Sequence, residues 1–120
     1  KKIAFFVKDS AEWSCEEVYK LYAARPDCEV VVTVAPFFVG TQQTILDTYN
    51  NTIAYFAERG FNTIGLYDQY QDSIKSWKEV GSPDIVFHLN PYYTAFIGSS
   101  SILNFPLSIL NVYILYGNVS

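Results

Sequence analysis

Two periods of hydrophobic patterning take turns along this chain. Residues 3–7 and 85–87 are apolar throughout, β-branched or aromatic, with no polar alternation. That pattern suits parallel strands buried on both faces, and therefore central ones. Residues 28–35 read as a second strand, stopped by Pro36, and 112–116 as a fifth. Residues 62–67 read as a third, shorter strand interrupted by Gly65. Between them the period becomes helical. After the polar loop 8–12, Ser14 and Glu17 have the spacing of a capping box, and Trp13 before them can staple onto Val18. Val18, Leu21 and Tyr22 form the stripe expected to be buried, and Arg25-Pro26 ends that helix. A long helix is predicted over 41–59, with Ile45, Tyr49, Ile53 and Phe56 on one face and Gly60 just past its end. Asp68 to Gln71 read as loop, and Asp72 or Ser73 can cap a short helix carrying Ile74, Trp77 and Val80. A Gly/Ser-rich connection covers 94–101, and 102–110 predicts a brief helix with Pro106 inside it.

Strand alternating with helix implies right-handed crossovers and an α/β fold. The expected architecture is a single Rossmann-like domain over 1–120. It has a five-stranded, wholly parallel sheet in the order 3-2-1-4-5, with helices on both faces and strands one and four adjacent at the centre. The chain of 120 residues begins without Met and ends on a polar tetrapeptide directly after a strand. A fragment of a longer, two-domain protein is therefore expected.

Composition narrows the classes. Half of the residues are apolar, with ten Tyr, nine Phe and two Trp, which excludes a disordered chain. A net charge of −4 argues against a nucleic-acid surface and leaves a membrane only an indirect partner. No apolar stretch approaches the roughly 20 residues that span a bilayer. Cys15 and Cys28 have neither metal nor disulfide-framework spacing, so a cytoplasmic location is expected, without a metal or cofactor.

In open α/β sheets ligands bind beyond the carboxyl ends of the strands. Strand four ends in Phe87-His88-Leu89-Asn90-Pro91-Tyr92-Tyr93, turning polar where such a fold places its chemistry. Pro91 stiffens the chain after the strand and holds Asn90 at the edge, where a fixed amide can orient a hydroxyl or phosphate oxygen. Tyr92 and Tyr93 would wall the ligand, and Asp9 after strand one would face it. His88 is the single histidine and invites a role as general base. Its place in a buried strand favours instead a group that sits deeper and braces Asn90. The tips Phe37-Phe38 and Tyr92-Tyr93 suit either a ligand cleft or packing against a neighbouring domain.

Other chemistries fit less well. The loop after strand one carries neither G-x-G-x-x-G, nor a Walker loop, nor a flavin phosphate loop. A phosphorylation receiver would use Asp9 and Asp68, but Lys8 stands where its second acid belongs. Gly117 and Asn118 stand where its lysine would be, and both acids also read as solvated loop groups. A non-catalytic flavodoxin-like or receiver-like module that binds a ligand or signals is the alternative.

Several segments together carry a family resemblance. They are Trp13 with Val18-Tyr19-Lys20-Leu21, the strand 31–36, and the helix end Phe56…Gly60-Phe61. Pro83-Asp84-Ile85-Val86-Phe87 with Asn90-Pro91-Tyr92 follows, then 113–117. The chain resembles the amino-terminal half of the CDP-glycerol glycerophosphotransferases, the teichoic-acid-type polymerases and their polysaccharide-biosynthesis relatives, which are similar to GT-B glycosyltransferases. The resemblance implies transfer of glycerol phosphate or a related group from a CDP-activated donor to a polyol-phosphate or glycan acceptor. The CDP site would belong to a carboxyl-terminal nucleotide-binding domain, and this half would hold the acceptor at the inner face of the cell membrane. Family members carry a Trp-His-Gly loop whose histidine is taken as the base. The nearest counterpart here is Leu115-Tyr116-Gly117, without a histidine.

Overall fold

The apolar runs and the helical stretches become ten elements in the computed structural model, which describes residues 1–36, 40–68, 73–74, 81–89 and 110–113. In chain order these are β1 (Lys2–Val7), a 3-10 turn (Ser10–Glu12), α1 (Glu16–Ala23), β2 (Glu29–Val34) and α2 (Gln42–Glu58). Then come β3 (Thr63–Gly65), β4 (Tyr67–Asp68), β5 (Ser73–Ile74), β6 (Ile85–His88) and β7 (Leu110–Tyr113). The main sheet has the order β3-β2-β1-β6-β7, and every pairing in it is parallel. β1 has a partner on each side, and residues 3–7 are buried without exception. An unbroken apolar strand belongs there because neither of its faces meets water.

The two faces are built differently. Ile3, Phe5, Val7, Val30, Val32 and Val34 share one face with residues of both helices, Cys15 and Tyr19 from α1 and Tyr49 and Phe56 from α2. Phe5 stacks on Phe87 with ring centroids 5.0 Å apart, and Trp13 meets Phe56 edge-on at 4.9 Å and Phe61 at 5.4 Å. Fully burying one such ring stabilises the fold by roughly 1.5–3 kcal/mol, and edge-to-face pairs add to it. Ala4, Phe6, Val31, Thr33, Val86 and His88 fall on the opposite face and are buried as well. The helices expected over 74–80 and 102–110 lie almost wholly outside the described residues.

α2 follows from its local signals. Thr41 accepts a hydrogen bond from the Thr44 N–H at 3.1 Å, the N-cap geometry. At the other end Gly60 has φ +82°; its N–H donates to the Ala57 carbonyl, and the Phe61 N–H donates to that of Phe56. That is the Schellman arrangement, with Phe61 packed back on Phe56. Gly65 lets α2 lie close to the sheet, since a Cβ there would run into the Tyr49 hydroxyl and come within 2.9 Å of Ile53 Cδ1. The Tyr49 hydroxyl receives the Tyr67 N–H at 3.0 Å. Burial pushes its phenol above the ordinary value.

Three expectations need correction. α1 does not use the capping box. Its N-cap is Cys15, without a side-chain cap bond, and Ser14 is exposed. Cys15 is drawn into the core, so the helix starts one residue later and Cys15, Val18, Tyr19 and Tyr22 face inward. Leu21, expected in the buried stripe, is 69% exposed. Second, Ser73 and Ile74 are not the start of a helix, nor are all strands parallel. Ser73 and Ile74 pair antiparallel with Tyr67 and Asp68 in a ribbon separate from the main sheet. Backbone pairing with a segment already anchored by Tyr49 prevails there over a local capping signal. Third, Leu110 begins β7 rather than ending a helix, its N–H donating to the Asp84 carbonyl at 2.9 Å.

Candidate functional site at the carboxyl edge of β1 and β6

The sheet order creates a switch point. From β1 the chain moves to β2 on one side, while β6 returns to pair on the other. In open α/β sheets such a reversal of strand order marks the edge at which ligands bind, beyond the carboxyl ends of the strands. The last ladder bonds define its floor. The Ala35 N–H donates to the Val7 carbonyl at 3.0 Å, and the Leu89 N–H to the Phe6 carbonyl at 3.3 Å.

Lys8 follows directly on the end of β1, and His88 ends β6. Both are sealed from water, Lys8 at 1% exposure and His88 at 0%. In register His88 lies beside Phe6, their rings 5.8 Å apart and tilted. Thr33 lies beside Phe6 on its other side. The other polar side chains buried among the described residues are Thr33 and Thr52, and each has a local use. The Thr33 hydroxyl donates to the Phe5 carbonyl at 3.1 Å, and that of Thr52 to the Thr48 carbonyl at 2.7 Å. Lys8 and His88 are larger, and they stand at adjacent strand ends on the edge where this type of sheet binds ligands.

The other site residues read from the sequence fare differently. Asp9 lies on the edge as expected, but its Oδ1 accepts the Ala11 N–H at 3.0 Å and so caps the turn Ser10–Glu12. Asp68 is not in a loop at the end of β3; it is half-buried in the antiparallel ribbon, opposite Ser73. Asn90, Tyr92 and Tyr93 lie outside the described residues, as do Phe37-Phe38 and Leu115-Tyr116-Gly117. The bracing of Asn90 by His88 therefore also falls outside them. Among the described residues no three His, Cys, Asp or Glu side chains group as a metal set. No helix among them is long and apolar enough to cross a membrane.

Lys8 is the site residue that the sequence pattern underrates. In the sequence it figures only as the cation that spoils a receiver's acidic pair. The available signal is a charge abutting a run as apolar as 3–7, which puts a lysine at the mouth of the most buried strand. No protein-family model matches the chain, and no curated protein matches it either.

Proposed function

We propose that this chain is the acceptor-side domain of a GT-B-type transferase, similar to the CDP-glycerol glycerophosphotransferases that build teichoic acid and related cell-surface polymers. The observation that carries the reading is the β1–β6 edge, where the segment Pro83-Asp84-Ile85-Val86-Phe87 delivers His88 beside the end of the central strand. That segment is the most specific part of the family resemblance, and His88 ends β6 at the edge where Rossmann-like domains hold ligands. Asn90, Tyr92 and Tyr93 follow it in sequence and are assigned to the acceptor, with His88 buried behind them as a support. Asp9, already capping its turn, would present its remaining oxygen. A second domain of the same protein supplies the CDP-activated donor. Turnover therefore needs both halves, in the cytoplasm at the inner face of the membrane.

The test is an assay of the full-length protein for CMP release from CDP-glycerol with a lipid-linked glycerol phosphate acceptor. Release is expected, and Asn90→Ala should weaken acceptor use while folding is retained. Absence of release across CDP-linked donors overturns the reading.

A further inference from the structure

We propose that the exposed apolar strip over β6 and β7, beside α1, is the seat of an amphipathic helix that follows β7 in the same polypeptide. The inference goes beyond the transferase reading and does not depend on it.

Among the described residues, the large apolar side chains left exposed are Leu110 at 60% and Leu21 at 69%. They border one surface. Leu110 pairs in register with Ile85, and Val112 with Phe87. Ile85 and Phe87 pair in turn with Ile3 and Phe5, which places all four on the face that carries both helices. Ile85, Phe87 and Val112 are only half-buried there. On α1, Tyr19 leans toward Phe61, just past the end of α2, and Tyr22 leans toward Phe87 on β6. Leu21 stands on that second flank, three residues after Val18. A single exposed leucine needs no explanation, but two that border one continuous apolar floor mark a contact surface.

Parallel sheets are covered on both faces, and handedness decides which connection covers which. α1 and α2 join strands that step from β1 toward β3, and they lie on this face. The right-handed rule sends connections that step the other way, toward β7, over the opposite face. The sheet's own crossovers thus supply no helix to this half. The strip is two strands wide, about 10 Å, which is the diameter of a single helix. β7 is the edge strand that borders it. Consecutive elements are neighbours joined by short connections, so the element next after β7 reaches the strip most directly. Its packed side would carry apolar residues at i, i+3, i+4 and i+7.

The test uses the full-length protein with Cys28→Ser as background and Leu110→Cys as reporter, Cys15 being buried. Alkylation of native Leu110→Cys should run roughly tenfold or more slower than in denaturant, as a covered strip requires. Alkylation as fast as in denaturant overturns the inference. Leu21→Cys gives the same readout should Leu110→Cys fail to fold. A photoreactive benzoylphenylalanine in place of Leu110 then identifies the occupant. Its cross-link should stay within one polypeptide and map beyond residue 113, to a peptide with apolar residues at helical spacing. A cross-linked dimer, protection lost on dilution to the monomer, or a link to a separate protein names a different occupant and overturns the proposal. So does a link to a peptide within residues 1–113. An open strip in a protein that still releases CMP overturns this inference alone and leaves the acceptor-side reading standing.

Discussion

The helix-covered face of the sheet and its carboxyl edge at β1 and β6 are equally sealed from water, yet they use opposite chemistry. On the covered face Phe5, Trp13, Tyr19, Phe56 and Phe61 meet ring against ring. The Tyr19 hydroxyl there accepts the Asn62 N–H at 3.0 Å, whereas the buried Trp13 Nε1–H has no hydrogen-bond partner. At the edge Lys8 and His88 take the place of aliphatic side chains that would pack there at lower cost. Apolar burial stabilises by area, whereas a buried polar or charged group has to keep polar partners that offset its desolvation. β1 thus carries Phe5 into the packed face and ends at Val7, directly before Lys8 at the edge.

Removing a ring from the covered face should give the largest effect. Phe56→Ala empties a position enclosed by Trp13, Tyr55 and Phe61, and about 3–5 kcal/mol of stability should be lost in denaturant unfolding. A loss below about 1 kcal/mol would show that the aromatic nest is not what holds α2 to the sheet. The next effect concerns how closely α2 lies on that face. Gly65→Ala should cost about 1–3 kcal/mol, because the new methyl meets the Tyr49 hydroxyl and Ile53. Adding Tyr49→Phe should relieve part of that cost, giving a double-mutant cycle that is less than additive. Strict additivity would place the strain elsewhere.

The smallest expected effect is in pH. Burial pushes the Cys15 thiol above its ordinary value, a hydrogen bond from Ser14 offsetting part of this, and burial does the same to the Tyr49 phenol. Both groups are held neutral in the fold and lose their protons first in the unfolded chain. Their contribution is therefore complete below the unfolded-state values and declines as pH rises through the window above them. Unfolding free energies measured from pH about 8 to about 11 should fall, with the earlier onset due to Cys15. Cys15→Ala should delay that onset; an unchanged profile would remove Cys15 from the account.

Much of this fold is legible from particular residues, because the forces involved act over short stretches. Five consecutive apolar residues at 3–7 have no arrangement with water on either side, so a central strand follows. Thr41 and Gly60 bracket α2 by backbone hydrogen bonds that close within a few residues of each. The parallel α/β class follows from the alternation of the two periods. At the candidate site, the position of His88 on a buried strand end is readable in the same way, from Ile85-Val86-Phe87 before it.

Other features were decided by tertiary structure alone. Ser14 and Glu17 have the spacing of a cap, but α1 begins at Glu16 because Cys15 is buried against strands that are distant in sequence. Leu21 is as apolar as its neighbours and is exposed because the face packed on the sheet is the one that carries Cys15, Val18, Tyr19 and Tyr22. Ser73 and Ile74 pair with Tyr67 and Asp68, a partner that no local pattern names. The burial of Lys8 is of the same kind. A lysine after an apolar strand is ordinarily a solvated loop residue, and this one is buried where β2 and β6 flank the end of β1. Sequence periodicity reports what a residue prefers. Which residues are forced against that preference depends on contacts between segments far apart in the chain, and those exist only once the sheet has formed.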